Sequence, residues 1–240
     1  MTDLSKLLSE RDSQLRNQTR TAIEDLRAEL AAFGAAKEDL DTLRQAALDL
    51  ESLFLLVVVG EFNAGKSALI NSLLGAPLLE EGVTPTTTSI NLLHYGEAGA
   101  ERWLSRHVLE REYNAPILRD VAVVDTPGTN AVLREHQVLT EQFVPRSDLV
   151  LFVTSADRPF TESERAFLEA IRSWGKKVVL VINKIDLLRN ERELEQVTGF
   201  VGEKVSQLLG FQPHIFPVSA RRAREATGSS DPHFLRLQRF

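Results

Sequence analysis

Residues 60–67 read GEFNAGKS and follow directly on an apolar run at 53–59. The stretch fits the pattern G-x-x-x-x-G-K-[ST], which demands a buried strand, then a tight loop, then a helix. Gly60 and Gly65 permit a turn whose backbone N–H groups converge on one point. A helix opening near Lys66 adds the positive end of its dipole. Such a concavity suits phosphate oxygens. The candidate cradle comprises Gly60, Asn63, Ala64, Gly65, Lys66, Ser67 and Ala68. The Lys66 ammonium reaches β- and γ-phosphates, and the Ser67 hydroxyl is a candidate Mg2+ ligand. By average residue usage, a chance match in 240 residues is on the order of one in several hundred.

Apolar runs recur at 121–124, 149–154, 178–182 and 215–218. Runs of this kind suit strands buried on both faces. Helical periodicity separates most of them, with helices expected at 66–74, 135–143, 162–173 and 191–209. Thr161 and Glu164 have the spacing of a capping box. Alternation of this kind predicts an α/β domain, with a mostly parallel central sheet and helices on both faces. A more polar strand at 89–95 is expected at an edge and antiparallel. The first fifty residues differ. Leu4, Leu7, Leu8, Leu15, Ile23, Leu26, Leu30 and Phe33 recur at helical spacing, and Leu40, Leu43, Ala47 and Leu50 continue beyond a break near Gly34. This predicts a helical hairpin or bundle segment ahead of the α/β domain. Its stripe is covered either by its own chain or by sequence elsewhere.

Further candidate groups fall at strand ends. The run at 121–124 leads into DTPG, where Asp125 can hold a water of a Mg2+ shell and Gly128 can offer its N–H to a γ-phosphate. The run at 178–182 leads into NKID. A carboxylate at Asp186 accepts both donors of a guanine edge, N1–H and the exocyclic amino group. Adenine lacks that pair and would leave the carboxylate unsatisfied. Asn183 can tie the loop, and the stem of Lys184 can cover the ring. Ser219 and Ala220, in the VSA that ends the last run, can present a backbone N–H to the guanine O6. Between the glycine-rich loop and DTPG lies VTPTTTS, where Thr84, Thr86, Thr87 and Thr88 compete to close over the γ-phosphate and ligate Mg2+. Thr87, then Thr86, are the first choices.

Composition removes other chemistries. The chain has no cysteine, which excludes disulfides, thiolate metal sites and cysteine nucleophiles. Its five histidines lack metal-ligand spacing. A formal charge of −6 argues against a surface built for nucleic acid. The polar N-terminus does not resemble a secretory signal, and no apolar run approaches ~18 residues. A cytoplasmic chain is expected, peripheral at a membrane if it meets one. Arg221, Arg222 and Arg224 form a basic cluster, read as a solvated helix start or as a contact for phosphate or lipid.

The glycine-rich loop, the threonine segment, DTPG, NKID and VSA occur in the order of the five GTPase motifs. The whole is similar to the translation-factor-related GTPases. More narrowly, GEFNAGKSALINSLLG, TPTTTS, VDTPGTN and FVTSADRPFTESE resemble bacterial dynamin-like proteins, relatives of the mitofusins and of chloroplast FZO-like proteins. The resemblance spans about residues 51–220 and implies a P-loop GTPase fold. It also implies hydrolysis of GTP to GDP with Mg2+, homodimerisation through the nucleotide face, and remodelling or tethering of membranes. A regulatory or ribosome-assembly switch is the alternative. Thr129 stands where Ras-type members carry the water-orienting glutamine, so a backbone group or a switch threonine must orient the water. Asn63 falls where some dimerising members bind K+, which makes K+ or Na+ a candidate stand-in for an arginine finger. A loop-capping role for Asn63 competes with that reading. Lys66, Asn63 and Thr87 are thus the candidate catalytic groups. The expected divisions are 1–50 (helical), 51–220 (GTPase) and 221–240 (a truncated or flexible tail).

Overall fold

The structure, a computed structural model, describes residues 10–51, 53–81, 89–97, 99–126, 143–225 and 231–240. It divides into two compact units, Met1–Leu53 and Phe54–Phe240.

In the first unit, α1 (Glu10–Ala32) and α2 (Lys37–Glu51) pack against each other across a turn. Gly34 enables the reversal with φ of 77°. Ile23, Leu30, Leu40 and Leu43 are half-buried. Leu15, Leu26 and Phe33, from the same apolar stripe, are exposed.

The second unit is built on a sheet whose centre is β1 (Phe54–Gly60). Val57, Val58 and Val59 are fully buried. Side chains alternate across a strand, so Val57 and Val59 face one apolar cluster and Val58 faces the other. This is why the run needs no polar alternation. The neighbours of β1 are β5 (Val121–Asp125) and β6 (Leu149–Ser155), followed outward from β6 by β7 (Val178–Asn183) and β8 (His214–Pro217). All these pairings are parallel. The intervening helices include α3 (Lys66–Leu74), α4 (Glu162–Ser173) and α5 (Glu191–Leu209). Phe167, Leu168 and Ile171 of α4 and Val201 and Val205 of α5 cover one face, and Leu69 and Ile70 of α3 pack on the other.

Two expectations change. The polar strand β2 (Ile90–Tyr95) is antiparallel to β5, yet it is not an edge. On its far side lies β4 (Val108–Tyr113), parallel to it, and β3 (Glu101–Trp103) is antiparallel to β4 and forms the border. The cause is Val108 and Leu109, which are buried only if β4 joins the sheet. The region expected as a tail at 221–240 also carries structure. After α6 (Ala220–Glu225), α7 (Pro232–Arg239) starts at an Asp231 cap whose carboxylate accepts from the N–H groups of His233 and Phe234. Phe234 and Leu237 are buried in the cluster beneath β8, and the Phe240 ring lies 5.2 Å from that of Phe216. The expected helix at 135–143 lies outside the described residues except for Phe143.

The Thr161 cap of α4 is a complete capping box. Its Glu164 carboxylate is almost wholly buried and accepts from the Thr161 N–H (2.9 Å) and the Thr154 hydroxyl (3.0 Å). Burial outweighs these bonds and raises the Glu164 pKa from 4.5 to about 6. A carboxyl whose folded pKa is raised adds stability when protonated and loses that contribution as pH rises through about 6. Glutamine keeps the capping geometry without the charge. The Glu164→Gln variant should therefore melt a few degrees higher than the parent at neutral pH, with the gap closing near pH 4.5, as followed by circular dichroism. A gap that does not change with pH would contradict the assignment.

Candidate functional site

At the C-terminal end of β1, Gly60 takes φ of 149° and passes so close to β6 that a Cβ would lie 2.0 Å from the Val153 carbonyl oxygen. Only glycine allows this approach. Asn63 (φ 60°) and Gly65 (φ 84°) bend the loop back into α3, and a Cβ on Gly65 would sit 2.4 Å from Asn183 Nδ2. Asn63 is exposed, whereas Ala64 and Lys66 are buried.

The Lys66 ammonium donates to the carbonyls of Gly60 (3.1 Å) and Glu61 (3.0 Å). Burial lowers its pKa to about 8, against the raising influence of Asp125, Glu164 and Glu61. Register in the sheet sets Asp125 opposite Val58, and its carboxylate is fully buried. The Ser67 hydroxyl donates to Asp125 Oδ2 across 3.4 Å. A hydroxyl beside a buried carboxylate is a hard-oxygen donor pair, which fits Mg2+. The adjoining Thr126 hydroxyl donates to the Val58 carbonyl and secures the exit of β5.

The base-reading candidates converge on the same place. Asn183 ends β7, and its amide Nδ2 donates to the carbonyls of Ala64 (3.0 Å) and Gly65 (3.3 Å). Its Oδ1 accepts from the Ala220 N–H at 3.1 Å. One buried side chain thus joins the glycine-rich loop, the NKID turn and the VSA exit. Lys184 takes φ of 64°, and the Ile185 N–H donates to the Val218 carbonyl. The Asp186 side chain is 5% exposed, accepts from the Ser219 hydroxyl at 2.5 Å and pairs with Arg221 at 2.9 Å.

All described candidates, from Gly60 to Ala68 together with Asp125, Asn183, Lys184, Asp186, Ser219 and Ala220, lie on strand ends, loops and first helical turns at one end of the sheet. Thr86, Thr87, Gly128 and Thr129 lie outside the described residues. Sequence reasoning missed several supporting groups. Buried Asn71 on α3 accepts from the N–H groups of Leu78 and Leu79 and donates to the Glu81 carboxylate. Glu61 accepts from the Ser163 hydroxyl at 2.9 Å, which ties the glycine-rich loop to α4. Asp157 accepts a hydrogen bond from Ser155, which holds its carboxyl below the usual range beside the loop.

The model of the family described as 50S ribosome-binding GTPase matches residues 55–184. A probable transmembrane FZO-like GTPase of Arabidopsis thaliana chloroplasts is 48% identical over 196 residues, covering 79% of this chain and 21% of the relative. An uncharacterised protein from the xynA 3' region of Caldicellulosiruptor sp. is 34% identical over 215 residues, covering 77% of this chain and 53% of its own length. The chain thus spans between about a fifth and a half of these relatives. A solved chain of an oligomerised bacterial dynamin pair superposes with a TM-score of 0.68 at 19% identity, covering 95% of this chain and 42% of that one.

Replacing Gly65 by alanine should push the Asn183 amide from the loop carbonyls. Loss of buried hydrogen bonds predicts about 1–3 kcal/mol of destabilisation. Thermal unfolding of Gly65→Ala measures it, and an unchanged melting temperature would mean that the Asn183 linkage contributes nothing.

With the family model matched over more than half of its length, the chain is a P-loop GTPase that belongs to the 50S ribosome-binding GTPase family, and it is similar in sequence to an FZO-like GTPase.

Proposed function

We propose that this chain binds GTP with Mg2+, hydrolyses the β–γ phosphoanhydride, and works as a homodimer that meets across the nucleotide face. The observation that carries this reading is the Asn183 side chain, which sets the phosphate loop and the base turn at a fixed separation. One ligand with a purine at one end and phosphates at the other suits that spacing.

In this reading the backbone N–H groups of Gly60 through Ala68 hold phosphate oxygens. Lys66 exchanges its carbonyl partners for the β- and γ-phosphates. Ser67 and Asp125 hold Mg2+, with Thr87 or Thr86 as a further hydroxyl and Gly128 N–H on the γ-phosphate. The metal neutralises charge on the transferred phosphoryl oxygens. Asp186 reads guanine, Lys184 covers the ring and Ala220 N–H meets O6. Asn63, which is exposed on the loop, helps hold K+ or Na+ near the bridging oxygens in this reading. Catalysis then rests on positioning and charge, with no side-chain base.

The dynamin pair is described as sensing and tethering membranes over long range, and the Arabidopsis relative as a probable transmembrane protein. We extend to this chain a role in membrane remodelling, as part of a larger assembly. Among the described residues no helix is long and apolar enough to cross a membrane. The match to the ribosome-binding description supports a second reading, a regulatory or ribosome-assembly switch with slow, unassisted hydrolysis.

Two experiments test these points. Asp186→Asn should move preference from GTP toward xanthosine triphosphate in a competition assay, because the amide complements the xanthine edge. Unchanged GTP selectivity would remove the guanine reading. Specific GTPase activity should climb with protein concentration and be higher in K+ or Na+ than in a non-coordinating cation. Flat specific activity at all concentrations would assign the chain to the switch reading.

A further inference from the structure

The site holds one contact that the reading above does not use. Arg221, at the start of α6, sets a guanidinium nitrogen 2.9 Å from Asp186 Oδ2. The Asp186 side chain is 5% exposed and that of Arg221 is 59% exposed. The buried partner is thus the carboxylate assigned to the base, and the exposed partner is the arginine.

A guanidinium presents a planar edge of N–H donors. The guanine edge, N1–H with the exocyclic amino group, presents the same kind of edge. A carboxylate accepts either in a bidentate manner. Both cannot hold Oδ2 in one plane. Oδ1 meanwhile keeps the Ser219 hydroxyl, whose single bond leaves lone pairs for a second donor. The contested atom is therefore Oδ2.

The backbone bearing Arg221 is anchored. The Ala220 carbonyl accepts from the Ser72 hydroxyl at 3.0 Å, and the Ala220 N–H is held by Asn183. One turn on, Arg224 makes a two-oxygen contact with Glu81, at 2.7 Å to each oxygen. Displacing the Arg221 guanidinium thus requires only side-chain rotation. A second carboxylate is at hand, because Glu225 Oε1 lies 4.0 Å from Arg221 Nε.

We infer that Arg221 is an internal competitor of guanine for Asp186, so that nucleotide binding drives its guanidinium off the base-reading carboxylate and onto Glu225. This rests on the guanine reading of Asp186. The pair makes the base turn self-satisfied, and it weakens guanine binding by the strength of the Arg221–Asp186 contact. Exchange of that ion pair is also a step that binding must pass through.

The test uses a fluorescent GDP analogue with the parent chain, Arg221→Ala and Arg221→Gln, at low and high salt. Arg221 is largely exposed and Asp186 keeps the Ser219 hydroxyl, so both variants should stay folded, with a melting temperature at or modestly below that of the parent. An ion pair of ordinary strength with one exposed partner predicts that both bind about two- to fivefold more tightly than the parent at low salt. Salt screens the pair, so the gap should close at high salt. Equal binding, or weaker binding by both variants as expected if Arg221 stacked on the purine, overturns the inference while leaving the guanine reading intact. Failure of parent and variants alike to bind guanine nucleotide overturns both.

Discussion

The Asn183 amide is the interaction on which the site depends. Both ends of this short side chain are used within the protein, one on the carbonyls of Ala64 and Gly65, the other on the N–H of Ala220. Strand pairing alone does not ensure this. β7 is separated from β1 by β6, so the NKID turn and the glycine-rich loop share an end of the sheet without sharing a strand pair. The amide bridges that gap. It also explains why Gly65 must lack a side chain, since a Cβ there would occupy the amide's position.

The five parallel strands were legible because their runs are continuous, though β8, at the other border, is only partly buried. A strand covered on both faces has no polar alternation to confuse with a helix, and β1, β5, β6, β7 and β8 all fall on such runs. The helices α3, α4 and α5 follow from periodicity and caps. The border was harder to read. β2 and β4 mix buried apolar positions with charged ones, and their pairing depends on which distant strand each meets. Sequence periodicity carries no such information. The final helix had local signals, with Asp231 at the cap, Pro232 at its first position and Phe234 and Leu237 spaced three apart.

Within the site, the residues with a defined motif spacing were readable, and those that act through partners distant in sequence were not. Arg221 and Arg224 read as a solvated basic cluster because nothing local names their partners. The fold brings Asp186 and Glu81 to them. Asn71 likewise sits in an ordinary helical stretch, and its buried amide becomes meaningful only where the chain at Leu78, Leu79 and Glu81 folds back over α3. Glu164 was visible as a cap, but its burial beside Glu61 and Lys66 was not, and that burial changes its titration.

Lys66 and Asp186 share a design. Each is a charged group inside the proposed nucleotide site that is satisfied by its own chain, Lys66 by two loop carbonyls and Asp186 by Ser219 and Arg221. An unsatisfied buried charge would cost several kcal/mol and would strain the loops that must hold their shape. Internal partners remove that penalty. They also mean that a ligand gains only the difference between its own contacts and those it displaces. Phosphates offer Lys66 full negative charges in place of carbonyl dipoles, so the exchange at that end favours the ligand strongly. At the other end, guanine replaces a charged guanidinium with neutral donors, so the exchange is nearly balanced. On the proposed reading, affinity comes chiefly from the phosphate end. On the same reading the base end acts mainly as a filter, because a purine without the right donors does not satisfy Asp186 in place of Arg221.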